Sequence, residues 1–145
     1  MVNGMVESMG ISVLWLVIGI CLSMMLVKIY DIIVFRKFDL EEAIEEKNSA
    51  VAIFFGMMLL GIGLVVAATI MSPGAGSLLG DILDTIGWSV GFSFVATILF
   101  FAFDELLVPK INLQEAISNG NVASGIFSGI VYVAVSIVAM AVIIT

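Results

Sequence analysis

Four apolar runs constrain this chain more than any motif does. They cover about Ile11–Val34, Ala50–Met71, Ile86–Val108 and Val122–Ile144. The hydrocarbon core of a bilayer takes roughly 20 apolar residues of helix, so each run is long enough to cross once. Apolar types make up 62% of the 145 residues and charged types 12%, so a soluble body of one-domain size could not hide this surface and lipid must cover it. The first run does not read as a cleavable signal peptide. Glu7 precedes it in place of a positive charge, and no small-residue cleavage site follows, so it reads as a retained anchor.

The polar passages repeat. When the chain is set against itself at a shift of 73 residues, Trp15 falls on Trp88 and Asp31 on Asp104. Lys37, Leu40, Glu42, Ala43, Ile44 and Asn48 fall on Lys110, Leu113, Glu115, Ala116, Ile117 and Asn121, and Ala50, Ile53, Phe54 and Gly56 on Ala123, Ile126, Phe127 and Gly129. The expected architecture is all-α and integral to the membrane. One membrane domain, 1–145, carries four transmembrane helices in two tandem helical hairpins, repeat 1 over 11–71 and repeat 2 over 84–144. Each unit crosses twice, so the second enters from the same side as the first and the two are parallel, related by an axis along the membrane normal.

Orientation follows from the basic residues. Lys28, Arg36, Lys37, Lys47 and Lys110 all lie on the side of the two polar loops. The positive-inside rule places those loops in the cytoplasm of a plasma or inner membrane, with both termini outside and Trp15 and Trp88 as interface anchors at the outer face. Ser72-Pro73-Gly74-Ala75-Gly76 reads as the stop between the two units.

Each loop predicts a short amphipathic helix along the inner surface. Asp39 and Asn112 are good N-caps, and Glu42 and Glu115, three residues on, complete two capping boxes. Asn48 and Asn121 would end those helices or cap the next crossing. From Asn48, steps of four reach Ala52 and Gly56; from Asn121 they reach Gly125 and Gly129; the third crossing adds Gly87 and Gly91. Small residues let helices approach closely in lipid, so these stripes read as helix contacts, either between the hairpins or between subunits.

Asp31 and Asp104 are the sharpest polar feature. Sixteen residues separate Trp15 from Asp31, or about 24 Å of helix, which puts the carboxylate near the inner edge of the apolar core. Intramembrane acids are candidates for function. Lys28 stands one turn before Asp31, whereas Phe101 holds that place before Asp104. Asp31, Asp104, Asn48 and Asn121 would form a shared cation or proton site if a parallel arrangement brought them together. Otherwise each acid anchors its own helix end.

Other chemistries find little support. The chain has no histidine, hence no common general base or metal ligand. Tyr30-Asp31 resembles half of an intramembrane aspartyl protease signature, but Phe101-Ala102-Phe103 precedes Asp104 where the other half needs a glycine pair. Gly74 and Gly76 lack the following Lys-Ser/Thr of a phosphate loop. Cys21, the only cysteine, makes no internal disulfide. A net charge of −7 argues against nucleic acid as a partner. No catalytic residue, metal ligand or cofactor is assigned.

The twice-occurring pattern Asp-x(10)-Glu-Ala-Ile-x(3)-Asn-x-Ala, at Asp31–Ala50 and Asp104–Ala123, resembles the YjfL-like family of bacterial inner-membrane proteins, domain of unknown function 350. The resemblance implies a four-helix membrane protein and carries over no established catalytic residues; some members of the family are found beside envelope-stress or polyamine-related proteins. Two functions remain open. One is a non-enzymatic homo-oligomeric assembly or scaffold component in the lipid bilayer, whose cytoplasmic loops dock a peripheral protein. The other is an oligomeric channel or carrier for a small cation, such as a polyamine, using Asp31 and Asp104.

Overall fold

The structure, a computed structural model, describes residues 2–72, 74 and 76–145. Pro73 and Ala75 of the expected stop lie outside the described residues. Six helices follow one another: α1 Val2–Ile33, α2 Leu40–Glu45, α3 Ser49–Met71, α4 Leu78–Leu107, α5 Leu113–Ser118 and α6 Val122–Ile144. Four of them, α1, α3, α4 and α6, are long and apolar enough to cross a membrane. The order long helix, short helix, 23-residue helix occurs twice. α1 and α4 begin earlier than the apolar runs suggest. Helical geometry extends ahead of the first turn of each apolar run, and Ser77, whose hydroxyl accepts from Gly80 N at 3.2 Å, sets the start of α4.

α3 and α6 form the central pair, with α1 packed on α3 and α4 packed on both. They run parallel. The backbone of α6 at Gly125 lies against Ala50 near the start of α3, and Gly61 further along faces Tyr132 and Ser136. A Cβ on Gly125 would sit 2.9 Å from the Ala50 Cα, so only glycine permits this approach. Gly129 fits in the same way against the Met57 side chain. The stripes named from sequence therefore divide. Gly125 and Gly129 pack inside the chain, whereas Ala52, Gly56, Gly87 and Gly91 face outward, the last three with open space where a Cβ would be.

Below the bundle, Phe35, Phe38, Phe54, Phe55, Phe100 and Phe101 gather at the elbow end. The Phe35 ring meets Phe54 edge-on at 5.0 Å and stacks on Phe101 at 5.7 Å. Phe35 is 1% exposed, so the turn after α1 is driven into the core rather than left in the headgroups. Burial of such rings, with their edge-to-face contacts, fixes where α1 ends relative to α3 and α4.

Candidate functional site

Both elbows are built by the same backbone device. Asp39 caps α2 by accepting from Glu41 N at 2.8 Å and Glu42 N at 3.2 Å; Asn112 caps α5 by accepting from Glu115 N at 3.1 Å. The expected capping boxes form only their forward half. The Glu42 and Glu115 side chains are exposed and, among the described residues, return no bond to the cap. Water solvates those carboxylates at no entropic cost to the chain, which outweighs the return bond. The backbone bonds of Asp39 hold its carboxyl below the ordinary carboxylate range.

Each short helix then ends in a Schellman turn. Asn48 N donates to Ala43 O at 2.8 Å and Lys47 N to Ile44 O at 3.1 Å; Asn121 N donates to Ala116 O at 2.9 Å and Gly120 N to Ile117 O at 3.0 Å. The residue between is left-handed in both, Lys47 at φ 60° and Gly120 at φ 81°. Asn48 and Asn121 thus do both things foreseen for them: each closes one helix and caps the next. Asn48 Oδ1 accepts from Ala50 N and Val51 N, and Asn121 Oδ1 from Ser124 N.

The four residues proposed to share a site have different partners. Asp31 is buried, with Oδ1 accepting from Leu40 N at 3.2 Å and Oδ2 paired with Lys28 Nζ at 3.1 Å. Lys28 also reaches Glu41 Oε1 at 3.1 Å. Asp31 therefore clamps the first turn of α2 to the end of α1. Asn48 Nδ2 donates to Ser118 O at 2.9 Å and Ile117 O at 3.3 Å, binding the first elbow to the second. Ser118 Oγ donates to Lys37 O at 3.3 Å, so the two elbows touch at one end of the bundle. Asp104 does not repeat the clamp. Its Oδ1 is buried without a hydrogen-bond partner among the described residues, on the wall of an open pocket of about 420 Å³ with Glu105, Lys110, Asn112 and Gln114. Among the described residues no hydrogen bond joins any two of Asp31, Asp104, Asn48 and Asn121, and no three acidic or thiol side chains converge as metal ligands.

A second polar feature runs through the bundle. α4 buries Thr85, Ser89, Ser93 and Thr97, one every four residues along one face. Ser89 Oγ lies 3.0 Å from Thr69 Oγ1 of α3, Ser93 Oγ 2.9 Å from Tyr30 OH of α1, and Thr97 Oγ1 3.2 Å from Tyr132 OH of α6. One helix thus hydrogen-bonds to all three others, at about 0.6 kcal/mol per contact in lipid. The sequence reading passed over these hydroxyls; their strict four-residue spacing was the signal available. At the far end, Trp15, Thr69, Ser72, Asp81, Asp84 and Thr85 border a polar pocket of about 250 Å³. Trp88, on α4, is 59% exposed.

Four apolar helices joined by two hydrogen-bonded elbows define a small multi-pass helical membrane protein. The family described as Domain of Unknown Function (DUF350) matches residues 4–143, and the chain belongs to that family. It is similar to the UPF0719 transmembrane protein of Aquifex aeolicus (strain VF5), 24% identical over 138 residues that cover 94% of this chain and 52% of the relative. It is also similar to the UPF0719 transmembrane protein YshE of Bacillus subtilis (strain 168), 32% identical over 100 residues, 69% of each chain. The chain thus spans about half the length of the first relative. No solved structure matches.

Proposed function

We propose that the chain is a non-enzymatic, homo-oligomeric assembly component of the plasma or inner membrane. Its two elbows face the cytoplasm and dock a peripheral protein. The observation that supports this best is the bond from Asn48 to the α5 carbonyls, which fuses the two elbows into one platform. Such a surface keeps its shape while a partner binds, so little ordering entropy is lost. Glu41, Glu42, Glu45 and Glu46 stand exposed on it, which favours a basic partner. The shared shift of 73 residues is taken as a duplication. All five basic residues lie toward the elbow end, and this carries the orientation.

The test is the particle mass in lipid nanodiscs, together with cysteine labelling at Glu41 and Glu115 from each side of sealed vesicles. A mass of several chains and labelling of both positions from the cytoplasmic side are expected. A single-chain mass, or labelling of the two positions from opposite sides, overturns the reading.

A second reading, a conduit for a small cation such as a polyamine, draws on the unpartnered Asp104 oxygen in its open pocket. Asp31 serves it poorly because Lys28 and Leu40 already occupy both its oxygens. Cation flux into liposomes that falls with Asp104→Asn and persists with Asp31→Asn is the expected result. Absence of flux across voltage, pH and cation type excludes it.

A further inference from the structure

The joint between α3 and α6 uses a different face of each helix. α6 contributes Gly125, Gly129, Tyr132 and Ser136, all buried. α3 contributes Ala50, Met57 and Gly61. Positions 73 residues apart correspond in sequence, as Gly56 does to Gly129. The α3 counterparts of the α6 face are Ala52, Gly56, Leu59 and Gly63, and the first three are exposed. The α6 counterparts of the α3 face are Ala123, Ile130 and Ala134, and all three are exposed. Each half of the joint is therefore occupied once inside the chain and left open once.

Two apolar grooves lie over these open halves. One, of about 610 Å³, runs between α1 and α3 past Gly19, Gly56, Leu59 and Gly63. Its counterpart in the second half of the chain is the groove between α4 and α6, on the side filled by α3. The other, of about 560 Å³, runs between α4 and α6 past Phe103, Val131, Ala134 and Val138. Its counterpart in the first half is the surface of Tyr30, Met58, Gly61 and Val65, where α6 and α4 lie.

We propose that a second copy of this chain continues the same joint head-to-tail, laying its α6 face at Ala123, Ile130 and Ala134 into the α1/α3 groove at Ala52 and Gly56. The proposal rests on the homo-oligomer reading and on the duplication. An interface that uses different faces of its two partners propagates until it closes. The joint also keeps its level. Gly61, the thirteenth residue of α3, meets Tyr132 and Ser136, the eleventh and fifteenth of α6, and Gly129, the eighth of α6, meets Met57, the ninth of α3, so the axial offset averages near zero. Repetition thus stays within one bilayer, as a ring where the rotation between copies closes and as an open row where it does not. The hydroxyl pairs Thr69–Ser89 and Tyr30–Ser93, which fasten α4 to the first hairpin beside this joint, correspond to Val142 facing Leu16 and Phe103 facing Ile20 between chains. The joint between copies is therefore apolar and held by close packing over small residues, the mode available in lipid.

The observed contact of Gly129 with Met57 corresponds to Gly56 of one copy against Ile130 of the next. Gly56→Cys on a long-tagged chain and Ile130→Cys on a short-tagged one, both with Cys21→Ser, are co-expressed and oxidised in membranes. Disulfide formation needs Cα atoms within about 7 Å, so it reports this contact and not mere proximity. The expected result is a gel shift to the summed mass of the two tagged chains, and no shift with either variant alone. Ala52→Cys with Ala123→Cys, nearer the elbow, gives the same result. Open space at Gly56 lets that variant fold. Adducts between like chains only, a shift from one pair without the other, or no adduct while nanodisc particles keep a multi-chain mass, overturns the head-to-tail joint and leaves the oligomer reading standing. No adduct together with a single-chain mass overturns both.

Discussion

Asn48 Nδ2 donates to Ser118 O at 2.9 Å, across 70 positions of sequence, while Asn48 Oδ1 caps α3. One amide therefore links the two elbows and starts the central helix. The side chain of Asn121, its counterpart at a shift of 73, makes among the described residues only the capping bond, from Ser124 N at 3.2 Å. Asn48→Ala is expected to cost about 2 kcal/mol, roughly 1 for the cap and 1 for the bonds to α5, and Asn121→Ala about 1. Thermal unfolding in nanodiscs, followed by the fluorescence of Trp15 and Trp88, compares them. Equal losses would show that the cross-elbow bond contributes nothing.

The Schellman turns differ in one residue. Lys47 stands left-handed at φ 60° where the second elbow has Gly120 at φ 81°. A side chain there costs about 1 kcal/mol that glycine avoids, partly offset by the greater chain entropy glycine loses on folding. Lys47→Gly should raise stability by about 0.5 kcal/mol, and Gly120→Lys should lower it by about 1. Midpoint shifts of opposite sign in the same melting assay are the expected outcome. A loss from Lys47→Gly would mean that the lysine side chain makes a compensating contact at the elbow.

The two aspartates also differ. Asp31 is 3% exposed and holds Leu40 N and Lys28 Nζ, whereas one oxygen of Asp104 is buried without a partner among the described residues. Asp31→Ala leaves Leu40 N unsatisfied and should cost about 1–3 kcal/mol, moderated because Lys28 keeps Glu41. Asp104→Asn should fall within about 0.5 kcal/mol of the parent, since no bond seen here is lost. Thermal midpoints in nanodiscs rank the two. The reverse order would remove the clamp role assigned to Asp31.

Much of this was legible in the sequence. Run length alone identifies the four crossings, and the cap residues Asp39, Asn48, Asn112 and Asn121 mark the starts of α2, α3, α5 and α6. These features are local, and a single turn of backbone decides them. The partner of Asp31 was visible too, since Lys28 lies one turn away on the same helix. The unread features depend on how the helices dock. Nothing local distinguishes Gly125, pressed against Ala50, from Gly56, facing outward at the matching place. Phe35 and Phe38 follow α1 in a passage that reads as membrane edge, and only the approach of α3 and α4 turns them into core.

Acid should loosen one elbow before the other. The Glu42 and Glu41 amides hold the Asp39 carboxyl below its ordinary value, so folding favours the ionised form. That contribution is fully present above the unfolded value of about 3.9 and is lost as pH falls through the depressed folded value. Asn112 caps α5 with an amide that does not titrate. Exchange protection of the Glu41 and Glu42 amides should therefore fall below about pH 4 while that of Glu115 persists, and Asp39→Asn should abolish the difference. Parallel loss at both elbows would assign the acid response elsewhere.

Glycine substitutions separate the joint inside the chain from the outer faces. A Cβ at Gly125 would lie 2.9 Å from Ala50 Cα and 3.0 Å from its carbonyl carbon, backbone atoms that cannot move without displacing α3. Gly125→Ala should therefore cost about 1–3 kcal/mol, the usual result of overpacking. Gly129→Ala should cost less, because the atoms it meets belong to the flexible Met57 side chain. Gly87→Ala meets nothing within 4 Å and replaces a poor helix former with the best one, so it should gain about 1 kcal/mol. Melting of the three variants in nanodiscs checks the order. If Gly125→Ala matched Gly87→Ala, α3 and α6 could not be in contact at Ala50, and the central pair would be wrongly placed.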